Sequence, residues 1–236
     1  MSNIAIIPAR GGSKRIPRKN VTLFRGRPMI GWTIEAALES GVFDTVLVST
    51  DDDEIAEAAR AEGAEVPFLR DAHADDQSPV SEAIITALGQ AERHYGTSFL
   101  SVAQLMPNCP LRGADAIRAA WAYFEGGGHC YQISAFEFGW MNPWWAARMG
   151  ADGQPDWLFP EARVSRSQDL ERLYCPTGAI WIADAAALVE ARSFYGPGHV
   201  LCPIAWQAAV DIDEYDDLDM AEALAEIAAR GPRVRA

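Results

Sequence analysis

The sequence predicts a single three-layer α/β domain, spanning residues 1–236, with a mostly parallel sheet. Apolar runs typical of buried strands alternate with segments of helical periodicity along most of the chain, which is the pattern of helices packed on both faces of a parallel sheet. A length of 236 residues suits one sizeable domain. A hydrophobic content of 49% and a charged content of 22% are ordinary for a globular protein, so a core of normal size is expected.

The predicted strands are short apolar or β-branched runs. They cover residues 4–7, 45–50, 65–68, 99–105, 178–182 and 200–204. Pro67 cannot donate a backbone hydrogen bond, so the third of these strands is expected at an edge of the sheet.

The predicted helices carry apolar residues at helical spacing. They cover residues 28–40, 53–62, 79–95, 114–125, 185–191 and 216–229. Gly41 and Gly63 end the first two helices, and Asp52 caps the second.

Composition excludes several classes of protein. The formal net charge of −13 argues against nucleic acid as a general partner, because phosphate backbones need basic surfaces. A run of 18 apolar residues is absent from the sequence and the first strand begins almost at Met1, so we expect a cytoplasmic protein without a membrane span. The cysteines are widely spaced, which favours free thiols over zinc ligands or disulfides: Cys109, Cys130, Cys175 and Cys202.

A basic loop follows the first predicted strand. Between residues 10 and 27 the chain places seven cations and no acidic residue: Arg10, Lys14, Arg15, Arg18, Lys19, Arg25 and Arg27. Gly11 and Gly12 allow a tight turn that brings backbone N–H groups close to a ligand. The sequence contains neither G-x-G-x-x-G nor the Walker motif G-x-x-x-x-G-K-[ST], so a phosphate site of another kind is predicted. The alternative is a solvated charge run.

A pair of aspartates, Asp211 and Asp213, follows a second apolar stretch near the end of the chain. At the end of a strand, residues i and i+2 point the same way, so both carboxylates can meet one cation. Mg²⁺ uses one or two carboxylates together with water and substrate phosphates. The alternative is that the acidic run only caps the last helix, a role that Asp216 and Asp217 suit.

The order of residues 8–20, P-A-R-G-G-S-K-R-I-P-R-K-N, resembles the N-terminal signature of the acylneuraminate cytidylyltransferases. The resemblance implies a Rossmann-like nucleotidyltransferase fold and the transfer of CMP from CTP to a nonulosonic acid with release of pyrophosphate. It assigns Arg10 and Lys14 to the triphosphate, and Asp211 and Asp213 to Mg²⁺. It also implies a nucleotide site that contains Gly11, Gly12, Ser13, Asn20, Arg70 and Ser78.

The sugar side of the site is implied by two further elements. The segment R-S-Q-D-L-E resembles the sugar element of pseudaminic acid cytidylyltransferases and gives Arg166 and Gln168 as contacts. Sialic acid members usually carry Gln in L-x-P-[TS]-[ST]-P-L-R, where this chain has Met106. An apolar contact favours a deoxygenated sugar such as pseudaminic or legionaminic acid, although residues 175–181 are closer to the sialic and legionaminic pattern.

Four of the eight tryptophans lie between residues 135 and 157. An aromatic core is one interpretation, and a subunit interface is the other, because large rings are enriched at interfaces. Family members carry a dimerisation extension near this position, so the resemblance implies a homodimer and a role for residues 135–175 at the interface and the sugar site. The alternatives for function are a 3-deoxy-manno-octulosonate or other sugar nucleotidyltransferase, and a non-catalytic nucleotide-binding module.

Overall fold

The computed structural model describes residues 2–70 and 79–231. A six-stranded mixed sheet is built from β1 (Ser2–Pro8), β4 (Thr45–Ser49), β5 (Phe99–Leu105), β6 (Tyr131–Glu137), β9 (Tyr174–Asp184) and β10 (Val200–Pro203). The spatial order is β10-β6-β9-β5-β1-β4, and only β9 runs antiparallel to its neighbours. The predicted α/β fold with a mostly parallel sheet is confirmed.

Two further pairs of strands form small antiparallel sheets: β2 (Leu23–Phe24) with β3 (Arg27–Pro28), and β7 (Ala147–Met149) with β8 (Pro155–Trp157). The helices are α1 (Met29–Ser40), α2 (Asp53–Ala61), α3 (Val80–Tyr95), α4 (Ala114–Gly127), α5 (Ala185–Ala191) and α6 (Tyr215–Ala229). Each agrees with a predicted helix to within about two residues at either end, which is the usual scatter of helix boundaries.

Alternating side chains of the central strands build two cores, because successive residues of a strand point to opposite faces. Ala5 and Ile7 of β1 contribute to a core shared with α1, α2 and α4. Ile4 and Ile6 of the same strand contribute to a core shared with α3 and α5. The sheet therefore has helices on both faces, which gives the three predicted layers.

A third, smaller cluster ties the basic loop to the end of the chain. Ile16 from the loop and Phe24 from β2 pack with Val210, Ile212 and Ala221. All five side chains are buried. The apolar residues within the loop thus place the basic side chains beside the segment that carries the two predicted metal ligands.

Three details of the sequence prediction are wrong. Residues 131–137 were not predicted as a strand but form β6 inside the sheet, where the buried Gln132 and Ser134 interrupt the apolar run by which strands were recognised. Residues 65–68 form only a single parallel bridge, Leu47 with Glu65, because Pro67 lacks the donor that would continue the ladder. Residues 210–213 do not form a strand but follow a 3₁₀ helix, Trp206–Ala209. Across the described residues 2–70 and 79–231, no helix combines the length and the apolar character needed to cross a bilayer.

Residues 138–173 form an excursion between β6 and β9, and we call this segment the extension. It contains the β7–β8 pair and three 3₁₀ helices, Pro143–Trp145, Pro160–Val164 and Ser167–Asp169. Trp144 and Trp145 are hydrogen-bonded within it, since their indole N–H groups donate to Glu171 O and Ala162 O at 2.9 and 3.1 Å. Trp140 is 85% exposed, so the predicted aromatic cluster is divided between packing within the extension and an outward face.

Candidate active site

A cleft of about 540 Å³ opens where β1 and β5 end. The carboxyl ends of neighbouring parallel strands are the usual position of ligand sites in such sheets. The lining combines five cations, two carboxylates and mostly small or apolar side chains: Pro8, Arg10, Ser13, Lys14, Arg15, Ile16, Lys19, Asn20, Arg70, Val80, Ala83, Met106, Pro107, Asn108, Asp211 and Asp213. The excess of positive charge suits a polyanionic ligand.

The basic loop is held in place by acidic residues after β4. The Gly11 N–H donates to Asp51 Oδ1 at 3.1 Å. A Cβ at Gly11 would lie 2.6 Å from Asp52 Oδ2, so any larger residue would displace the loop or the aspartate. Arg18 has a positive φ of 56° and pairs with Asp52 at 2.9 Å and with Glu54. The close approach of Asp52 thus leaves little room for a side chain at position 11.

Asn20 and Arg70 are buried polar residues in the lining of the cleft. The buried Asn20 donates through Nδ2 to Arg10 O at 3.0 Å, which fixes the backbone at the start of the basic loop. Arg70 is 7% exposed, and its Nε has no partner among the described residues. Burial lowers the pKa of Arg70, Asp51 opposes that effect, and Arg10 adds to it. An anion in the cleft would relieve both the burial cost and the repulsion from Arg10.

The two aspartates lie in different electrostatic surroundings. Asp213 accepts from Lys19 Nζ at 2.8 Å and from Arg15 Nη2 at 2.6 Å. Burial acts to raise the pKa of Asp213, but these two cations outweigh it and hold the pKa below its usual range. Burial by the surrounding protein raises the pKa of Asp211 to about 6, and the negative charge of Asp213 adds to this effect. The Asp211 carboxylate nevertheless faces the open cleft.

The helix-cap alternative for this pair is not what the structure shows. Glu214 is the N-cap of α6 and forms a capping box with Asp217. Asp217 Oδ2 accepts from the backbone N–H groups of Asp213 and Glu214 at 2.9 and 2.8 Å. Asp211 and Asp213 precede the cap, and both carboxylates line the cleft.

The loop after β5 contributes Met106 and Asn108 to the cleft. Arg112, fully buried, donates to Ala179 O at 2.6 Å and to Met106 O at 3.3 Å, while Thr33 also donates to Met106 O at 3.3 Å. Burial lowers the pKa of Arg112 to about 10, which leaves it charged at neutral pH. These bonds fix the backbone of the loop against β9 and α1.

Most of the predicted site residues converge on this cleft. Of the predicted set, the lining includes Arg10, Ser13, Lys14, Asn20, Arg70, Met106, Asp211 and Asp213. Gly11 and Gly12 shape the loop behind them, and Ser78 lies outside the described residues. Arg166 and Gln168 lie apart, in the extension: the lining formed by residues 2–70 and 79–231 does not include them, and Arg166 pairs with Asp169 at 2.8 Å.

Three polar residues of the lining were not predicted as part of the site: Arg15, Lys19 and Asn108. Lys19 and Arg15 belong to the recognised basic run, and only the fold shows that they reach Asp213, more than 190 positions away. Asn108 donates to Asp211. It falls in the element L-x-P-[TS]-[ST]-P-L-R at a position where that element has Thr or Ser, and the resemblance gave it no role. A polar residue just after a central strand was the one available signal for Asn108.

The fold defines the class of protein. Residues 4–104 match the family model described as cytidylyltransferase. The structure is similar to that of a CMP:2-keto-3-deoxy-manno-octonic acid synthetase complexed with CTP, with a TM-score of 0.69 and 16% identity over 97% of this chain and 100% of that one. It is also similar to a 4-diphosphocytidyl-2C-methyl-D-erythritol synthase from Anaerococcus prevotii, with a TM-score of 0.64 and 12% identity over 95% and 98% of the two chains. At such low identity these likenesses show the fold alone.

Sequence relatives define the family more closely. The chain is 35% identical to a pseudaminic acid cytidylyltransferase of Campylobacter jejuni, over 96% of this chain and 97% of the relative. It is also 35% identical to a CMP-N,N'-diacetyllegionaminic acid synthase of Legionella pneumophila, with the same coverage of both chains. The protein therefore belongs to the cytidylyltransferases of the acylneuraminate type, and it is a nucleotidyltransferase.

Proposed function

We propose that the protein transfers CMP from CTP to a nonulosonic acid of the pseudaminic or legionaminic kind, with Mg²⁺. One observation carries the proposal: the fold brings the basic loop and the aspartate pair, about 200 positions apart in sequence, into one cleft. Full-length relatives at 35% identity that are named for these two sugars support it.

The residues of the cleft suit this reaction. The oxygen of the sugar's anomeric hydroxyl forms a bond to the α-phosphorus of CTP, and the bond from that phosphorus to the oxygen bridging to the β-phosphate breaks, which releases pyrophosphate. The hydroxyl proton passes to solvent. Arg10 and Lys14 would bind the triphosphate, and buried Arg70 would add a third cation to the nucleotide site. Burial raises the pKa of the nearby Cys109 thiol to about 12, so we assign it no nucleophilic role. The protein's contribution is mainly position and charge.

The aspartate pair fits a magnesium ion. Carboxylate oxygens are ligands that Mg²⁺ prefers, and water and substrate phosphates complete such sites. The pKa of Asp211 is raised because burial and Asp213 destabilise its negative charge, and a bound cation would stabilise that charge. Across residues 2–70 and 79–231, no group of three or more His, Cys, Asp or Glu residues is placed to hold a metal, so Asp211 and Asp213 would hold the ion with the triphosphate. Bound there, Mg²⁺ would neutralise phosphate charge and orient the α-phosphate.

Met106 supports the choice of sugar. Its side chain lines the cleft and packs against Gly178, where a Cβ would lie 3.1 Å from Met106 Cγ. A sugar hydroxyl that faces this thioether loses water without gaining a strong partner. We propose that Met106 selects for a deoxygenated sugar, and that Arg166 and Gln168 reach the sugar only through a rearrangement or through a second subunit.

A turnover screen tests the function. CTP and MgCl₂ are incubated with pseudaminic, legionaminic, N-acetylneuraminic or 3-deoxy-manno-octulosonic acid, and pyrophosphate release and CMP-sugar formation are followed by ³¹P NMR. We expect stoichiometric pyrophosphate and CMP-sugar with one of the first two acids. Turnover only with the octulosonic acid would favour the alternative sugar nucleotidyltransferase, and CTP binding without turnover of any sugar would favour the non-catalytic module.

A further inference from the structure

Asn108 lies at the contact between the two halves of the cleft. The residue is 3% exposed and follows β5, whereas Asp211 and Asp213 precede α6. Its backbone carbonyl accepts from the Ile212 N–H at 2.9 Å, and its side-chain Nδ2 donates to the Ile212 carbonyl at 3.2 Å. The aspartate segment is therefore docked on Asn108 through both backbone and side chain.

The same amide nitrogen reaches both carboxylates. Asn108 Nδ2 donates to Asp211 Oδ1 and lies 3.5 Å from Asp213 Oδ1. Because all three neighbours of this nitrogen are acceptors, the amide orientation is determined by the site. A donor between two carboxylates reduces their mutual repulsion and holds their separation.

The amide oxygen of Asn108, in contrast to the nitrogen, accepts no hydrogen bond from the described residues. This oxygen, Oδ1, is buried. An unsatisfied buried acceptor costs free energy, so its presence in a folded protein calls for an explanation. The donor end supplies one, since it is the end that contacts the aspartates.

We infer that Asn108 is a positioning residue that holds Asp211 and Asp213 in the arrangement in which they bind the divalent cation. This inference rests on the proposed function, in which the pair holds Mg²⁺. Residues that orient metal ligands without touching the metal commonly change its affinity by 10- to 100-fold when they are replaced. The element described above for the sialic acid members has Thr or Ser at this position, where this chain has Asn.

Binding of Mn²⁺ tests the inference without any turnover. The ion is titrated into the protein without nucleotide and again with CTP but no sugar, each titration is followed by electron paramagnetic resonance, and melting temperatures are recorded alongside. We expect Asn108→Ala to weaken Mn²⁺ binding about tenfold or more. Asn108→Thr supplies a hydroxyl that can donate one hydrogen bond in place of the amide. The Mn²⁺ affinity of this variant should lie between those of Asn108→Ala and the wild type. The Thr variant also keeps the test open if the Ala variant folds poorly.

A matched control separates positioning from general stability. Gln132 is also a fully buried amide, and it donates to Ala120 O at 2.9 Å. Gln132→Ala should lower the melting temperature and leave Mn²⁺ affinity unchanged. If Asn108→Ala binds Mn²⁺ with the affinity of the wild type, the role of Asn108 is overturned. If the wild-type protein has no saturable Mn²⁺ site that Asp213→Asn weakens, the metal site of the proposed function is overturned instead.

Discussion

At the scale of single residues, the cleft gives two neighbouring aspartates different properties. The charge of Asp213 is balanced by Lys19 and Arg15. The negative charge of Asp211 is destabilised by burial and by the like charge of Asp213. The sequence alone suggests that removing either charge relieves repulsion. In the structure, removing either charge ends the repulsion, but removing that of Asp213 also takes the partner from two cations, so only the removal of Asp211 is expected to raise stability.

Thermal unfolding of the metal-free protein in EDTA checks this difference. We expect Asp211→Asn to raise the melting temperature at pH 7.5 and Asp213→Asn to lower it. The folded-state pKa of Asp211 is raised from 3.8 to about 6, so the folded protein retains this proton at higher pH than the unfolded chain does. Stability is therefore lost as the pH rises between about 4 and 6, and the gain from Asp211→Asn should vanish near pH 4. Equal melting temperatures for both variants at pH 7.5 would contradict this description.

Met106 makes a residue-scale prediction about specificity. A hydroxyl buried against an apolar wall costs about 1–3 kcal/mol, or roughly ten- to a hundredfold in selectivity. We expect a higher kcat/KM for a 5,7-diacylamino-9-deoxy nonulosonate than for N-acetylneuraminic acid, and Met106→Gln should narrow the gap. Equal or better turnover of N-acetylneuraminic acid by the unmodified enzyme would contradict the proposed substrate.

At the scale of elements, the acidic turn after β4 organises the basic loop. Asp52 caps α2 by accepting from the Ile55 N–H at 3.1 Å, and it also pairs with Arg18. Burial acts to raise the pKa of Asp52, but the Ile55 amide and Arg18 outweigh it and hold the pKa low. One carboxylate thus joins the start of a helix to the loop that would bind the triphosphate.

Two substitutions separate these roles. Asp52→Ala removes the cap and should cost about 1 kcal/mol of stability, whereas Asp52→Asn keeps a good capping residue and should cost much less. Both remove the charge opposite Arg18, so both should raise the KM for CTP by a similar factor. Chemical denaturation and steady-state kinetics measure the two effects, with the exposed Asp53→Ala as control. A rise in KM only in the destabilised Ala variant would show that Asp52 acts through the helix alone.

How far the sequence predicts the elements depends on the length of each pattern and on whether buried polar residues interrupt it. Helices such as α3 and strands such as β5 repeat their spacing over many residues, so both were found. The equally long β6 was missed because the buried Gln132 and Ser134 break its apolar run. The β2–β3 and β7–β8 pairs have two or three residues per strand, too few to show a period. Site residues with their own motif were also found, but Asn108 and Asp211 meet across 103 positions, and local sequence does not encode that contact.

At the scale of the whole molecule, the extension carries several exposed apolar side chains. Trp140, Met149 and Val164 are 85%, 84% and 83% exposed. Aromatic and methionine side chains are enriched at protein–protein interfaces. We propose that the extension is the homodimer interface that the family resemblance implies.

Sedimentation velocity at micromolar concentration tests the interface. We expect a single species of twice the mass of one chain, and a shift to monomer in Trp140→Glu. Tyr123→Glu on α4 alters another exposed aromatic residue and should leave the dimer intact. A monomeric wild-type protein would contradict the interface and leave these side chains to another role.

The central claim is that the cleft beside the basic loop binds CTP for the transfer of CMP. Lys14→Ala tests it most directly, measured by calorimetric titration with CTP and by pyrophosphate release with the accepted sugar. We predict weaker CTP binding and a loss of turnover of about 100-fold or more, because charge stabilisation is a large part of such catalysis, with an unchanged melting temperature. Arg25→Ala, an exposed cation of the same basic run, should retain both properties. Normal CTP affinity and turnover in Lys14→Ala would contradict the claim and reduce the loop to a solvated charge run.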